Sequence, residues 1–206
     1  MAPPVEEVLI PYPNGAARHL VPVATQFRST WLTSSLRAIR DRKLLERYLT
    51  HLPREHHDAV LNIVVGVWLP TDVATAHYMA CDKLGLSSFD IFDIGSEVGK
   101  YAQGSVMSVA VQLAKGAGVT PWTVLVRLPD LWKRIWIGGG VAVYKHGPKE
   151  ARLEIAGFPA SSTTYCRVAL RGVVTGLVSL FCTKTYVKEI PQLCGPLTLA
   201  YRVSWA

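Results

Sequence analysis

Tyr165–Trp205 reads YCRVALRGVVTGLVSLFCTKTYVKEIPQLCGPLTLAYRVSW. Tyr165, Val168, Ala169, Gly172, Val173, Gly176, Leu177 and Leu180 share one broad face at helical spacing, so Ser161–Phe181 is predicted as a long amphipathic helix. Thr185–Ile190 and Thr198–Trp205 then read as strands either side of a Pro191–Pro196 loop. Just upstream, Val141–Lys145 and Arg152–Ala156 alternate around His146-Gly147-Pro148, which predicts another hairpin. Gly138-Gly139-Gly140 marks the change from helical to extended period. No helix and no Lys-Ser/Thr pair follows it, so it is read as a sharp turn and not a phosphate cradle. Two hairpins separated by a long helix, after a run of helices, predict an α+β domain with an antiparallel sheet of about four strands.

Residues 1–22 carry four prolines in their first thirteen positions and are read as an extended N-terminal arm. Residues 23–206 are read as a single α+β domain of ligand-binding type. A helix is expected from about Thr25, its stripe made by Phe27, Trp31, Leu32, Leu36 and Ile39. Arg42–His51 follows, then a helical segment from Pro53 to about Val67. Pro70-Thr71-Asp72 starts a helix that Gly85 ends, and Ser87 or Ser88 caps Phe89–Ala102. Gly95 and Gly99 lie one turn apart in that last helix. Glycine there disfavours the helix, which calls for a close neighbour as the compensating reason. Ser105–Ala114 is expected to continue helical until Gly116-Ala117-Gly118. Thr120-Pro121 opens a short helix, and Pro129 divides it from a second one ending near Trp136.

Half the residues are apolar and 18% are charged, which supports a packed core and excludes a disordered chain. No apolar run is suited to span a bilayer, since Arg171 interrupts Val168–Cys182, and no signal peptide is visible. A cytoplasmic location is therefore expected. Cys81, Cys166, Cys182 and Cys194 form no CxxC pair and are read as structural thiols. The formal charge is +7, but the basic residues are scattered. Arg37, Arg40, Arg42, Lys43 and Arg47 accompany no helix-turn-helix, RNP or zinc-finger pattern, so nucleic acid is not the expected partner.

Several motifs together resemble a known domain type. They are Gly95-Ser-Glu-Val-Gly99-Lys100, Gly138–Gly140, Arg171-Gly172-Val173-Val174-Thr175-Gly176-Leu177, Val187-Lys188-Glu189, Cys194-Gly195 and Tyr201–Trp205. The C-terminal half resembles the 4-vinyl-reductase-type ligand-binding domain. That domain shares a fold with the haem nitric-oxide/oxygen-binding domains and the small subunits of the TRAPP trafficking complex. Nearly everything after the arm is also similar to an uncharacterised bacterial family that begins with Arg-x-x-aromatic, here Arg28 to Trp31, and ends in Tyr-x-x-Ser-Trp, here Tyr201 to Trp205. That family brings no activity. The 4-vinyl-reductase pattern often places a second Cys near the last strand for metal; Cys194 stands alone here. The haem-sensing branch carries Tyr-x-Ser-x-Arg, and Tyr165-Cys166-Arg167-Val168-Ala169 departs from it. The resemblance thus does not imply haem. A tetrapyrrole or another flat hydrophobic ligand stays open, and the cofactor is unknown.

Trp122, Trp132, Trp136, Tyr144, Phe158 and Tyr165 fall at the expected junction between helices and sheet. Aromatic rings supply flat apolar walls, so these six are the candidate ligand-binding residues, with core filling as the competing reading. Trp132 and Trp136, one turn apart, can share a face. His77 and Cys81 stand at i,i+4, which is half of a zinc site that nothing completes; a packed His beside a buried thiol is favoured. His56-His57 is a poor chelate because adjacent side chains diverge. Asp90, Asp93 and Glu97 read as an acidic first turn with an ion pair rather than as general acid and base. No catalytic motif and no metal set stands out. The expected function is a non-enzymatic binding or sensory domain holding a small hydrophobic or aromatic molecule, with a homodimer or protein partner receiving the signal. A protein-interaction module with a filled core is the alternative. An enzyme of tetrapyrrole or aromatic reduction ranks third.

Overall fold

The structure is a computed structural model that describes residues 6–101 and 120–206. The helix expected over Ser105–Ala114, with its glycine stop, lies outside the described residues. Strands β1 (Glu7–Ile10), β5 (Gly140–Gly147), β6 (Glu150–Ala156), β7 (Thr185–Glu189) and β8 (Thr198–Trp205) form one antiparallel sheet in the order β1-β5-β6-β8-β7. A small second sheet joins β2 (Gln26–Arg28), β3 (Trp68–Pro70) and β4 (Trp136–Ile137) in the order β3-β2-β4. The antiparallel α+β architecture agrees with the sequence, but the strand number does not. Among the described residues, eight strands in two sheets replace the four expected, because the four additional strands are only two to four residues long. β1 hides in the proline-rich arm, and β2 sits where Phe27 seemed to start a helix. β3 follows Leu61, where the helical segment expected to reach Val67 has already ended.

The helices are α1 (Ser29–Asp41), α2 (Leu45–His51), α3 (His57–Leu61), α4 (Thr71–Asp82), α5 (Ser88–Tyr101), α6 (Pro121–Leu125), α7 (Leu128–Ile135) and α8 (Thr164–Val178). Their ends obey local chemistry. Ser87 caps α5, its hydroxyl accepting from the Asp90 amide at 3.1 Å while the Asp90 carboxylate accepts from the Ser87 amide at 3.3 Å. Thr163 caps α8 by accepting from the Cys166 amide, and the Asp82 carboxylate, from α4, accepts from the Thr164 and Tyr165 amides. A carboxylate at that end also meets the positive pole of the helix. None of the described helices is long and apolar enough to cross a membrane.

Glycine decides how α5 and α8 meet. A Cβ on Gly95 would run into the Ala169 carbonyl, and one on Gly172 into the Phe92 carbonyl. One on Gly99 would lie 2.9 Å from the Val173 oxygen, and one on Gly176 3.0 Å from the Ser96 oxygen. Each Gly-x-x-x-Gly pair therefore serves the other helix, which is the close neighbour the sequence called for.

Strand parity sorts the large sheet into two faces. Val141 pairs with Ile155, Val143 with Leu153, and Leu153 with Tyr201, so these side chains share the inner face toward the helices. Ala142, Tyr144, Arg152 and Glu154 point outward. The arm covers that outer face: Tyr12 and Val21 pack with Ala142, Tyr144 and Ala156. The Tyr12 hydroxyl donates to Glu154 at 2.9 Å, and Arg152 lies 2.8 Å from the other Glu154 oxygen. A buried carboxylate is thereby hydrogen-bonded and charge-matched.

Candidate functional site

α7 places the first wall of a cavity. Pro129 and Asp130 stand in its first turn, and Lys133 and Arg134 in its last, an order that suits the helix dipole. Lys133 and Arg134 are exposed, while Leu128, Leu131, Trp132 and Ile135 turn inward. The chain then enters β5 through Gly138 (φ 86°) and Gly139 (φ 63°). Gly139 also leaves room for a ring: a Cβ there would lie 2.9 Å from Trp132. The Trp132 indole N–H donates to the Gly138 carbonyl at 2.9 Å, which locks the ring's orientation.

Trp132 stacks on Trp136 with centroids 5.6 Å apart, and Phe158 meets both edge-on at 5.4 and 5.0 Å. Phe27 stacks on the same Trp136 at 5.5 Å. Beside this cluster lies a cavity of about 100 Å³. Its floor is Val141, Leu153 and Ile155 of the sheet, and α8 contributes Leu170, Val173, Val174 and Leu177. Trp31 of α1 closes one side. Trp31, Leu128, Leu131, Ile135 and Leu170 are only half-buried, which places the opening between α1, α7 and α8. The Trp31 N–H donates to the Tyr78 hydroxyl at 3.0 Å, away from the hollow.

Of the six candidate residues, Trp132 and Trp136 line this cavity, and Phe158 backs them from behind. Tyr165 is buried against a separate hollow of about 20 Å³ on the far side of Trp31. Its hydroxyl sits beside Ser35 and Cys81 without a hydrogen bond of ordinary geometry, and burial raises its pKa. Trp122 is elsewhere, edge-on to Trp205 at 4.9 Å and bonded to the Pro148 carbonyl. Tyr144 is on the outer face of the sheet under the Arg152 guanidinium, 4.2 Å from its centre. Trp31, Val173 and Leu177 were read from sequence only as members of apolar helix stripes, and the other aliphatic lining residues were not singled out, because such a stripe looks the same whether it fills a core or borders a gap.

Other candidates resolve into structure. His77 is fully buried, with its ring nitrogens 2.9 Å from the Ser35 and Tyr48 hydroxyls and Cys81 at 3.7 Å. Burial pushes its pKa down to about 3, so it is a neutral packed imidazole. No cluster of three or more His, Cys, Asp or Glu suited to a metal occurs among the described residues. Asp93 and Glu97 pair with Arg42 at 3.0 and 3.2 Å, and Asp90 is used in capping. All four cysteines are free, with Cys81 and Cys166 buried. A surface hollow of about 450 Å³, edged by His51, Asp72, Met79 and Lys83, opens to solvent and is lined by no Phe, Tyr or Trp.

With this geometry in hand, comparison with known proteins locates the fold. No family model matches the chain, and no curated protein does. Solved structures do. An Fe(II) unliganded H-NOX protein mutant from K. algicida superposes with a TM-score of 0.62 at 8% identity, over 87% of this chain and 96% of that one. An H-NOX mutant of T. tengcongensis gives 0.59 at 14% identity, over 86% and 97%. An oxygen-binding H-NOX domain related to soluble guanylate cyclases gives 0.57 at 12%, over 86% and 94%. The chain thus has the fold of the haem nitric-oxide/oxygen-binding domains.

Structures of that fold are described as haem proteins, so the cavity was tested against haem. Haem iron takes an imidazole, thiolate, thioether or phenolate ligand. None of the residues lining the cavity carries one, and none carries a cation to meet a propionate. His77, the fully buried imidazole, has both nitrogens occupied by hydroxyls. A volume of about 100 Å³ also falls below the roughly 300–1,000 Å³ of ordinary ligand pockets. These residues do not fit haem.

Proposed function

We propose that this chain is a non-enzymatic ligand-binding or sensory domain that holds a small hydrophobic or aromatic molecule between its helices and sheet. The observation that carries the reading is the apolar cavity beside Trp132 and Trp136, formed where α7, α8 and the inner sheet face meet. The fold supports it, since structures of the same fold include one described as an oxygen-binding domain. The lineage we favour is the 4-vinyl-reductase-like and uncharacterised bacterial group read from the motifs. A homodimer or protein partner would receive the signal. Burying a guest's apolar surface supplies about 25 cal/mol per Å² before ordering costs. Three indoles in the wall make binding visible as a change in tryptophan fluorescence. Titration with small aromatic and aliphatic probes should give saturable quenching and a dose-dependent rise in Tm. A flat response to every probe would remove the reading.

A protein-interaction module is the second reading. It is favoured by a separate observation: Leu61, Val64, Val65 and Val67, in and around the loop after α3, are all exposed. Light scattering that shows assembly abolished by Val64→Ser with Val65→Ser, while probe binding is unchanged, would support it.

A further inference from the structure

We infer that the cavity selects a neutral molecule of about benzene size or smaller, without hydrogen-bonding groups, and that this cavity, in a fold shared with haem domains, is not a haem pocket. The inference rests on the ligand-binding reading above and names the ligand class for it.

Size is the first argument. A dry cavity of about 150 Å³ lined by Leu, Ile and Phe accepts benzene or xenon. The cavity here is about 100 Å³ and is lined by Leu, Val, Ile and Trp. Its open side, between α1, α7 and α8, gives a guest a way in without unfolding the sheet.

The second argument is the state of the polar atoms. Two of the three wall indoles have their N–H groups engaged elsewhere, Trp132 with the Gly138 carbonyl and Trp31 with the Tyr78 hydroxyl. Tyr165, whose hydroxyl lacks an ordinary partner, belongs to the neighbouring hollow behind Trp31 and does not line this one. A hydroxyl, amide or carboxylate brought into the cavity would find at most the Trp136 indole N–H in place of the water it loses.

The third argument is steric. The middles of α5 and α8 are pressed together at Gly95 and Gly172, so α8 cannot move toward α5 to admit a macrocycle. The sheet floor, with Val141, Leu153 and Ile155 each under 5% exposed, is fixed by the β5–β6 ladder. The remaining walls are α7, a helix of eight residues, and the half-buried Trp31 of α1.

The test is a set of titrations on the full chain with xenon, benzene, phenol and haemin, read by tryptophan fluorescence, Tm and, for haemin, its visible absorbance. Benzene and xenon should bind, phenol at least about tenfold more weakly than benzene, and haemin not at all at equimolar protein. Val174→Phe, which fills the cavity from α8, should abolish benzene binding. Leu131→Phe fills it from the half-buried rim and serves if the first variant does not fold. Leu177→Ala should retain benzene and admit indole. If phenol or haemin binds as tightly as benzene, and Val174→Phe or Leu131→Phe blocks it, the size and polarity inference is overturned while the ligand-binding reading stands. Benzene binding unchanged in both filled variants would overturn the assignment of the site. Failure of all four probes would remove the reading and the inference together.

Discussion

His77 shows how a single side chain can have the spacing of half a metal site and still be packed structure, the reading its sequence context favoured. Its spacing from Cys81 is right for a metal, but Ser35 and Tyr48 take both nitrogens and burial keeps the ring neutral. The consequence is a pH dependence of stability. The folded imidazole resists protonation down to about 3, whereas the unfolded one takes a proton below its ordinary 6.5. The unfolded state therefore binds more protons between those values, and stability falls as pH drops through that window, by about 1.4 kcal/mol per pH unit from this group. Thermal melts at pH 7.5 to 4.5 should show a steeper loss for the native chain than for His77→Gln. Parallel curves would mean that His77 is not held neutral. The candidate site shows the same limit at this scale. Trp132 and Trp136 were picked as neighbours from a one-turn spacing, but Trp136 stands in β4 just past α7, and its ring meets Trp132 from an extended backbone. Tyr144 was grouped with them although the alternation of Val141 and Val143 already implies that it faces the other side of the sheet. Trp122 was lost to Trp205, a partner 83 positions distant that no local pattern announces.

At the scale of elements, the legible parts were those with a strong period or a cap. The two long hairpin strands, α4 with its Gly85 stop, α5 with its Ser87 cap and the long α8 all stand close to where sequence put them. The strands of the small sheet are two or three residues long and show no alternation to detect. Both Gly-x-x-x-Gly pairs were noticed, but nothing local says that they face each other. Their pairing makes a sharp prediction. Gly172→Ala must separate α5 from α8, because its Cβ would meet the Phe92 carbonyl and lie 2.8 Å from the Ser96 amide nitrogen. Overpacking of this kind costs about 1–3 kcal/mol, occasionally more. Gly147→Ala, at a site with nothing within 4 Å, should change stability by no more than about 0.5 kcal/mol. Urea denaturation of the two variants measures the difference, and equal midpoints would contradict the close crossing.

The whole molecule joins these pieces into a familiar shape with an unfamiliar interior. At 8–14% identity the similarity to H-NOX structures reports the path of the chain, not its chemistry. The sequence resemblance named a fold group that includes those domains, and its mismatch at Tyr165–Ala169 left haem unimplied while a tetrapyrrole or another flat hydrophobic ligand stayed open. What no sequence pattern carried was the cavity itself. A gap is the difference between the volume enclosed by the elements and the volume of the side chains filling it, and both depend on how closely the glycines let α8 sit. The arm belongs to the same account. By packing Tyr12 and Val21 on the outer sheet face it frees the inner face to carry helices and cavity together. The most direct measurement is a crystal of the native chain pressurised with xenon. The account predicts a xenon peak between Trp132, Leu153 and Val174; a solid interior there, with no peak and the two indoles closed over the gap, would contradict it.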